Sequence, residues 1–176
     1  YYLEKARTGL RLGNGQLTDG ILKDGLWDPY NNCHMGEAGE LCSREYGITR
    51  EDQDKYAKES YSRTIKAYEN GYFKEEIVPV TVDGKMPKTV SEDEEYRKAN
   101  FEKMASLKPA FAKDGVITAA NASKINDGAA AVVLVSEEKL EELGLEPLAR
   151  IIAFADASQS PEWFTTTPIR AMNNAL

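Results

Sequence analysis

Cysteine beside histidine is the pair from which activated thiolates are built, and the chain contains it once, at Cys33 and His34. Neighbours in extended backbone project to opposite faces, so adjacency in sequence holds this thiol and imidazole apart. The expectation is a small buried thiol next to a polar loop residue. His34, Met35 and Gly36 read differently as a unit. An imidazole, a flexible polarisable side chain and a glycine that admits close backbone approach suit a ligand wall, and equally suit ordinary packing.

Between Arg97 and Lys113 five cations (Arg97, Lys98, Lys103, Lys108, Lys113) stand against one acid, Glu102, in a chain whose net charge is -7. A local basic patch of this kind is where a nucleotide phosphate would find counter-charge, although a run of charges also serves as a solvated face. The most informative segment follows, from Ile117 to Ala131. Small residues at Ala119, Ala120, Ala122 and Ser123 leave the backbone open to a ligand. Asn121, Asn126 and Asp127 can hold a tight loop through side-chain-to-backbone hydrogen bonds. A turn leading into a buried strand accounts for Asn126-Asp127-Gly128 but not for Thr118 to Ser123.

The elements that must position these residues can be read from spacing and caps. The first thirty residues, broken by Gly9, Gly13, Gly15, Gly20 and Gly25, predict loops around short segments. Ala38, Leu41 and Cys42 predict a helix from Gly36 that stops at Gly47. Thr49 and Asp52 form a capping-box-like start for a second helix, with Gln53, Ala57, Ser60, Tyr61, Thr64 and Tyr68 as its inward stripe and Asn70-Gly71 at its end. Pro79 makes Glu76 to Val82 an edge strand or extended loop, and Asp83-Gly84 a turn. Lys85 to Asp114 reads as a long functional loop or a subdomain of loops, with an acidic block at Glu92 to Glu95 ahead of the basic run.

The composition then changes. Ala129 to Val135 predicts a strand buried on both faces, Ser136 caps a short helix ending at Gly144, and Leu148 to Ala155 predicts a second strand, giving a βαβ-like unit. Thr167 as N-cap and Pro168 in the first turn open a last helix. The division expected is a loop-rich, partly helical part over residues 1–116 and a piece of layered α/β domain over 117–176.

With 41% apolar and 29% charged residues, the chain has the composition of a soluble globular protein. No apolar run approaches the roughly 18 residues of a membrane span, and Tyr1 to Lys5 lacks the organisation of a signal peptide. A soluble intracellular protein is expected, without membrane or nucleic-acid partners, because phosphate backbones call for a wide basic surface. Cys33 and Cys42, nine positions apart, and a single histidine match no zinc or redox pattern, and no phosphate-binding or dinucleotide glycine motif occurs. Because the chain opens without Met and stops at Leu176 inside a predicted helix, both ends are expected to be cuts.

Asn121-Ala122-Ser123 with Asn126-Asp127-Gly128-Ala129-Ala130, together with Asp24-Gly25-Leu26, His34-Met35-Gly36 and Glu75 to Val80, resembles the thiolases, in particular their acetyl-CoA acetyltransferase branch. The resemblance spans essentially the whole chain. It implies an α/β thiolase fold fragment: the inserted loop domain plus the end of the N-terminal α/β/α domain. It also implies condensation of two acetyl-CoA molecules to acetoacetyl-CoA, or the reverse thiolysis, through an acyl-cysteine. The catalytic cysteines and histidine of that family fall outside these residues, so none is assigned here and the chain alone is expected to be inactive. Coenzyme A contacts are implied at Leu26, His34, Met35, Tyr61, Lys98, Ala99, Asn100, Lys103, Ala119 and Ser123. The basic loop would meet the nucleotide end and Ser123 the pantetheine. A homodimer or homotetramer working in lipid metabolism is implied, in the cytoplasm or, in a eukaryote, the mitochondrion. A noncatalytic thiolase-like binder of acyl-CoA or lipid is the alternative.

The resemblance also bears on Tyr61. Its place on the buried face of its helix, and a loop at Ala119, Ala120 and Ala122 too small to shield its carbonyls, fit a monovalent cation, K+ above all, held by neutral oxygens. Thiolases that respond to potassium are similar at these positions. The competing reading is a tyrosine that packs and donates one hydrogen bond.

Overall fold

The computed structural model describes residues 1–176, which pack as two units, Tyr1–Ala122 and Ser123–Leu176. In the first, local chemistry sets the helices. His34 accepts the Gly36 N–H through Nδ1 at 2.9 Å while the Glu37 carboxylate accepts the His34 N–H, and this reciprocal cap opens α1 (Met35–Glu45) one residue earlier than expected. Gly47, at φ +63°, turns the chain. Thr49 and Asp52 then form the expected capping box for α2 (Arg50–Glu69), and Gly71 follows its end at φ +72°.

Around these two helices lie three short antiparallel pairs. They are β1 (Tyr2–Leu3) with β2 (Leu17–Thr18), β3 (Trp27–Asp28) with β4 (Cys33–His34), and β5 (Val80–Val82) with β6 (Lys88–Val90). The segment 85–114, expected to be a long loop or a subdomain of loops, contains β6, a 3₁₀ turn at Tyr96–Lys98 and α3 (Phe101–Met104), capped by Asn100. Its elements are too short and too polar to leave a periodic signature. Ser60, placed on the inward stripe of α2, is exposed; Gln53, Ala57, Tyr61, Thr64 and Tyr68 are buried or half-buried.

Half of the buried residues are polar. Ala38, Ala57 and Met104 share the interior with Glu40, Ser43 and Thr118, the last with no solvent exposure. Gly39 lets Ile117 approach α1, where an added Cβ would lie 2.7 Å from Ile117 Cδ1.

In the second unit the expected helices form and the expected strands do not. Ser136 caps α4 (Glu137–Leu143), and Gly144 ends it in the left-handed region. α5 (Thr167–Ala175) follows Thr166, so Thr167 is its first residue rather than its cap, and Pro168 its second. Gln159 Nε2 donates to the Trp163 carbonyl and to the hydroxyls of Thr166 and Thr167, bracing the approach to α5. Residues 129–135 and 148–155 belong to no ladder, and Val133 and Phe154 are 91% and 93% exposed. A strand buried on both faces needs neighbours on either side, and nothing in these residues pairs with them. The predicted βαβ unit is therefore represented by its helix alone.

Candidate functional site

The small-residue segment is held from beneath by acids that carry no recognisable motif. Glu40, on the buried face of α1, accepts the Val116 N–H at 2.9 Å and the Ile117 N–H at 3.0 Å, and Gly115 leaves room for its carboxylate. Thr118 and Asn121 close the turn that follows: Asn121 Oδ1 accepts the Thr118 N–H at 2.7 Å, and the Thr118 carbonyl accepts from Asn121 and Ala122. Asn121 Nδ2 donates to the Val116 carbonyl and to Asp54 on α2, both at 3.0 Å. Asn121 thus does what its type predicted, whereas Asn126 and Asp127 are exposed and make no side-chain hydrogen bond. The carbonyls of Ala120 and Ala122 receive no donor. Ser123 begins the second unit and is exposed.

A second group gathers where the β3–β4 pair runs into α1. Trp27 pairs with His34, which sets Leu26 beside the start of the helix that holds Met35. The His34 ring stacks on Phe111 at 4.7 Å between centroids, and Gly36 admits that ring. With Nδ1 engaged as an acceptor, Nε2 is the nitrogen left to face a ligand. Burial, then the nearby Glu37 and Asp28 carboxylates, push the Cys33 thiol upward, away from the thiolate a nucleophile requires.

The third group lies on α2 and α3. Tyr61 packs edge-on against Phe101, with centroids 6.3 Å apart, and Lys58 sits over the same ring. Its hydroxyl has no partner, so the hydrogen bond expected of a merely packed tyrosine is not made within the chain. Asn100 spends its side-chain oxygen on the Lys103 N–H, and Ala99 links it to the 3₁₀ turn. The basic run divides in two. Arg97 is paired with Glu92, and Lys98 with Glu95 at 3.5 Å, so the acidic block neutralises the first two cations. Lys103, Lys108 and Lys113 have no carboxylate partner and carry the free positive charge.

These groups are joined by residues that sequence reasoning missed: Glu40, Arg50 and Asp54. In a sequence a buried anchoring acid looks the same as a solvated one, and the only signal was the i,i+4 spacing of Arg50 and Asp54. Leu26, His34 and Met35 are brought together, as are Tyr61 and Asn100–Lys103. Asn121 ties the alanine loop to α2 seven residues before Tyr61, about 10 Å along the helix axis. Two hollows of about 220 and 310 Å³, between Lys88 and Arg97 and beside Tyr68, include none of the candidate residues.

Residues 1–138 match the family described as "Thiolase, N-terminal domain". Over its full length the chain is 51% identical to a probable acetyl-CoA acetyltransferase of Dictyostelium discoideum. Over 96% of its length it is 54% identical to the acetyl-CoA acetyltransferase of Yarrowia lipolytica, and it covers 43% of each. The solved acetyl-CoA acetyltransferase of Syntrophomonas wolfei superposes on the whole chain with a TM-score of 0.91 at 44% identity, the chain covering 45% of it. The chain thus spans less than half the length of these relatives, and its fold is that of the corresponding part of the solved structure. On the family match and on identity near one half along its whole length, the chain belongs to the thiolase family.

Proposed function

We propose that the protein carrying this chain is an acetyl-CoA C-acetyltransferase, which condenses two acetyl-CoA molecules to acetoacetyl-CoA and free coenzyme A, or runs the reverse thiolysis. The observation that carries this reading is the 51% identity with an acetyl-CoA acetyltransferase along the whole chain. In such a reaction a cysteine thiolate takes the acetyl group and releases coenzyme A, and a second acetyl-CoA, deprotonated at its methyl carbon, attacks the acyl-cysteine and frees the thiolate. The groups that do this lie outside these residues. The chain's own part is to bind and orient the thioester.

Lys103, with no internal carboxylate, meets a phosphate of the nucleotide, and Lys98, Ala99 and Asn100 line the same end. Leu26, His34 and Met35 wall the pantetheine, and Ala119 and Ser123 approach it with side chains small enough to pass. Two substitutions in the full-length protein test this. Lys103→Ala should raise KM for acetoacetyl-CoA by roughly tenfold at low salt and less at high salt, because an exposed charge is screened. Ser123→Ala should weaken binding without that salt dependence. Equal salt dependence of the two would contradict the assignment.

A potassium ion is proposed beside this site, held by the Tyr61 hydroxyl and the carbonyls of Ala119, Ala120 and Ala122. The fit rests on chemistry: all four are neutral oxygens, and those of Tyr61, Ala120 and Ala122 have no donor. When bound, such an ion would stiffen the loop electrostatically. Activity should be higher in potassium than in sodium at equal ionic strength, and Tyr61→Phe should abolish the difference; a mutant that keeps it in full rules the site out.

A further inference from the structure

Arg50 hydrogen-bonds both to the end of the lysine-bearing α3 segment and to Asp54, the residue of α2 to which the alanine loop is tied. All three guanidinium nitrogens are engaged. Nε donates to Asp54 Oδ2 at 2.7 Å, one terminal nitrogen to the Leu107 carbonyl at 3.1 Å and the other to the Met104 carbonyl at 2.5 Å. Met104 is the last residue of α3 and is buried, so the guanidinium closes the C-terminal end of the helix that carries Lys103. Asp54 is shared: its second oxygen accepts Asn121 Nδ2 at 3.0 Å, and Asn121 in turn fixes Thr118. The side chains of Arg50 and Asp54 are 22% and 17% exposed, so water and salt screen this pair less than a surface pair.

We propose that Arg50 is a positioning residue that sets the spacing between Lys103 and the Ala119–Ala122 loop, and thereby the match of the site to the full length of a coenzyme A thioester. This rests on the binding role given above to Lys103 and to the loop. A long ligand held at two points is sensitive to the distance between them, and the chain Met104–Arg50–Asp54–Asn121–Thr118 fixes that distance, its bonds to the rigid Arg50 fork and to the Asp54 carboxylate being charge-assisted. A short thioester that does not reach Lys103 has no such requirement. Arg50 therefore discriminates between substrates it does not touch.

The test compares Arg50→Met, Lys103→Ala and the double variant in the full-length protein, on acetoacetyl-CoA and on the acetoacetyl thioester of N-acetylcysteamine, which lacks the nucleotide. Arg50→Met should raise KM for acetoacetyl-CoA roughly tenfold, as Lys103→Ala does, and the double variant should be no worse than either single one, because both act through the same end of the ligand. Kinetics on the short thioester, and kcat on both substrates, should change less than about twofold. Arg50→Lys, which keeps the counter-charge on Asp54 but cannot span both carbonyls, should recover part of the KM effect. If Arg50→Met does not fold, Arg50→Lys with Lys103→Ala makes the same comparison with a smaller effect. Multiplying effects in the double variant, or an equal loss on the short thioester, overturn the positioning role and leave the binding reading intact. A Lys103→Ala variant with unchanged KM overturns both.

Discussion

Residues 1–122 and residues 123–176 face the same physical requirement, and only the first meets it within this chain. In the first unit, backbone groups that would otherwise be stranded in loops are satisfied by side chains: Glu40 accepts from the Val116 and Ile117 N–H groups, Asn121 accepts from the Thr118 N–H, and Arg50 donates to the carbonyls of Met104, at the end of α3, and Leu107, beyond it. In the second, the most apolar stretches of the sequence lie exposed and unpaired. A polar staple works with two partners and a little space. A buried strand needs a ladder on each edge and a layer on each face, and a chain covering 43% of its relatives' length supplies neither for residues 129–135 and 148–155.

The largest effect that could break this contrast is in the isolated 176-residue chain. Amide hydrogen exchange should find α1 and α2 protected by at least about a hundredfold, with residues 129–135 and 148–155 exchanging close to the unprotected rate. The same preparation should bind a hydrophobic dye and show no turnover of acetoacetyl-CoA with coenzyme A above background. Equal protection of Val132–Val135 and α2 would show that the second unit closes on itself.

The same contrast separates what could be read in advance from what could not. The ends of α2 and α4 follow from Thr49, Asp52, Gly71, Ser136 and Gly144, because caps are decided by a few adjacent residues. Asn121 was recognisable as a loop-holding residue for the same reason. The strands expected at 129–135 and 148–155 do not form because β-structure depends on partners remote in sequence, and an apolar run is silent about whether they are at hand. Glu40 and Asp54 are not legible in the sequence because nothing in a helical acid's context tells a loop 76 or 67 residues away to rest on it. The five cations of the basic run do not all carry free charge, since the acidic block just before it supplies the partners of its first two members, Glu92 for Arg97 and Glu95 for Lys98.

Next in size is the loss of a staple. Glu40→Ala leaves the Val116 and Ile117 N–H groups without an acceptor, at about 1–3 kcal/mol each, so urea unfolding of the first unit should show a loss of about 2–4 kcal/mol. Glu40→Gln keeps one acceptor and should lose about 1 kcal/mol. A loss below about 0.5 kcal/mol for the alanine variant would mean that water replaces the carboxylate freely, and that the two units differ less than their structures suggest. Glycines offer a finer comparison. A Cβ at Gly36 would lie 2.5 Å from the Phe111 ring, whereas one at Gly128 meets nothing within 4 Å. Gly36→Ala should therefore cost about 1–2 kcal/mol, after the helix-propensity gain is set against the displaced ring, with Gly128→Ala near neutral.

The smallest effect lies in the acid limb of stability. Glu92 accepts hydrogen bonds from Arg97 and Tyr96, and Tyr96 stacks on Tyr68 at 4.5 Å, which fastens the segment before the lysines to the end of α2. The bond from Arg97, then that from Tyr96, holds the Glu92 carboxyl below its ordinary value of 4.5. Because the folded value lies below the unfolded one, this contribution is complete at pH above about 4.5 and is lost as pH falls through the folded value. Asp52 and Glu94, also in the first unit, are held low in the same way, by Thr49 and Lys88. Glu92→Gln should flatten part of the fall in stability below pH 4.5 and leave the rest to the other carboxyls held low in this unit, Glu4, Asp28 and Glu59 among them. In the second unit the Arg150–Glu137 pair is exposed on both sides, 71% and 69%, so Arg150→Ala should leave the pH profile unchanged within error. Matching pH profiles for the two variants would mean that the Glu92 cluster is as loosely held as a surface pair, and that the first unit owes its order to Glu40, Arg50 and Asn121 alone.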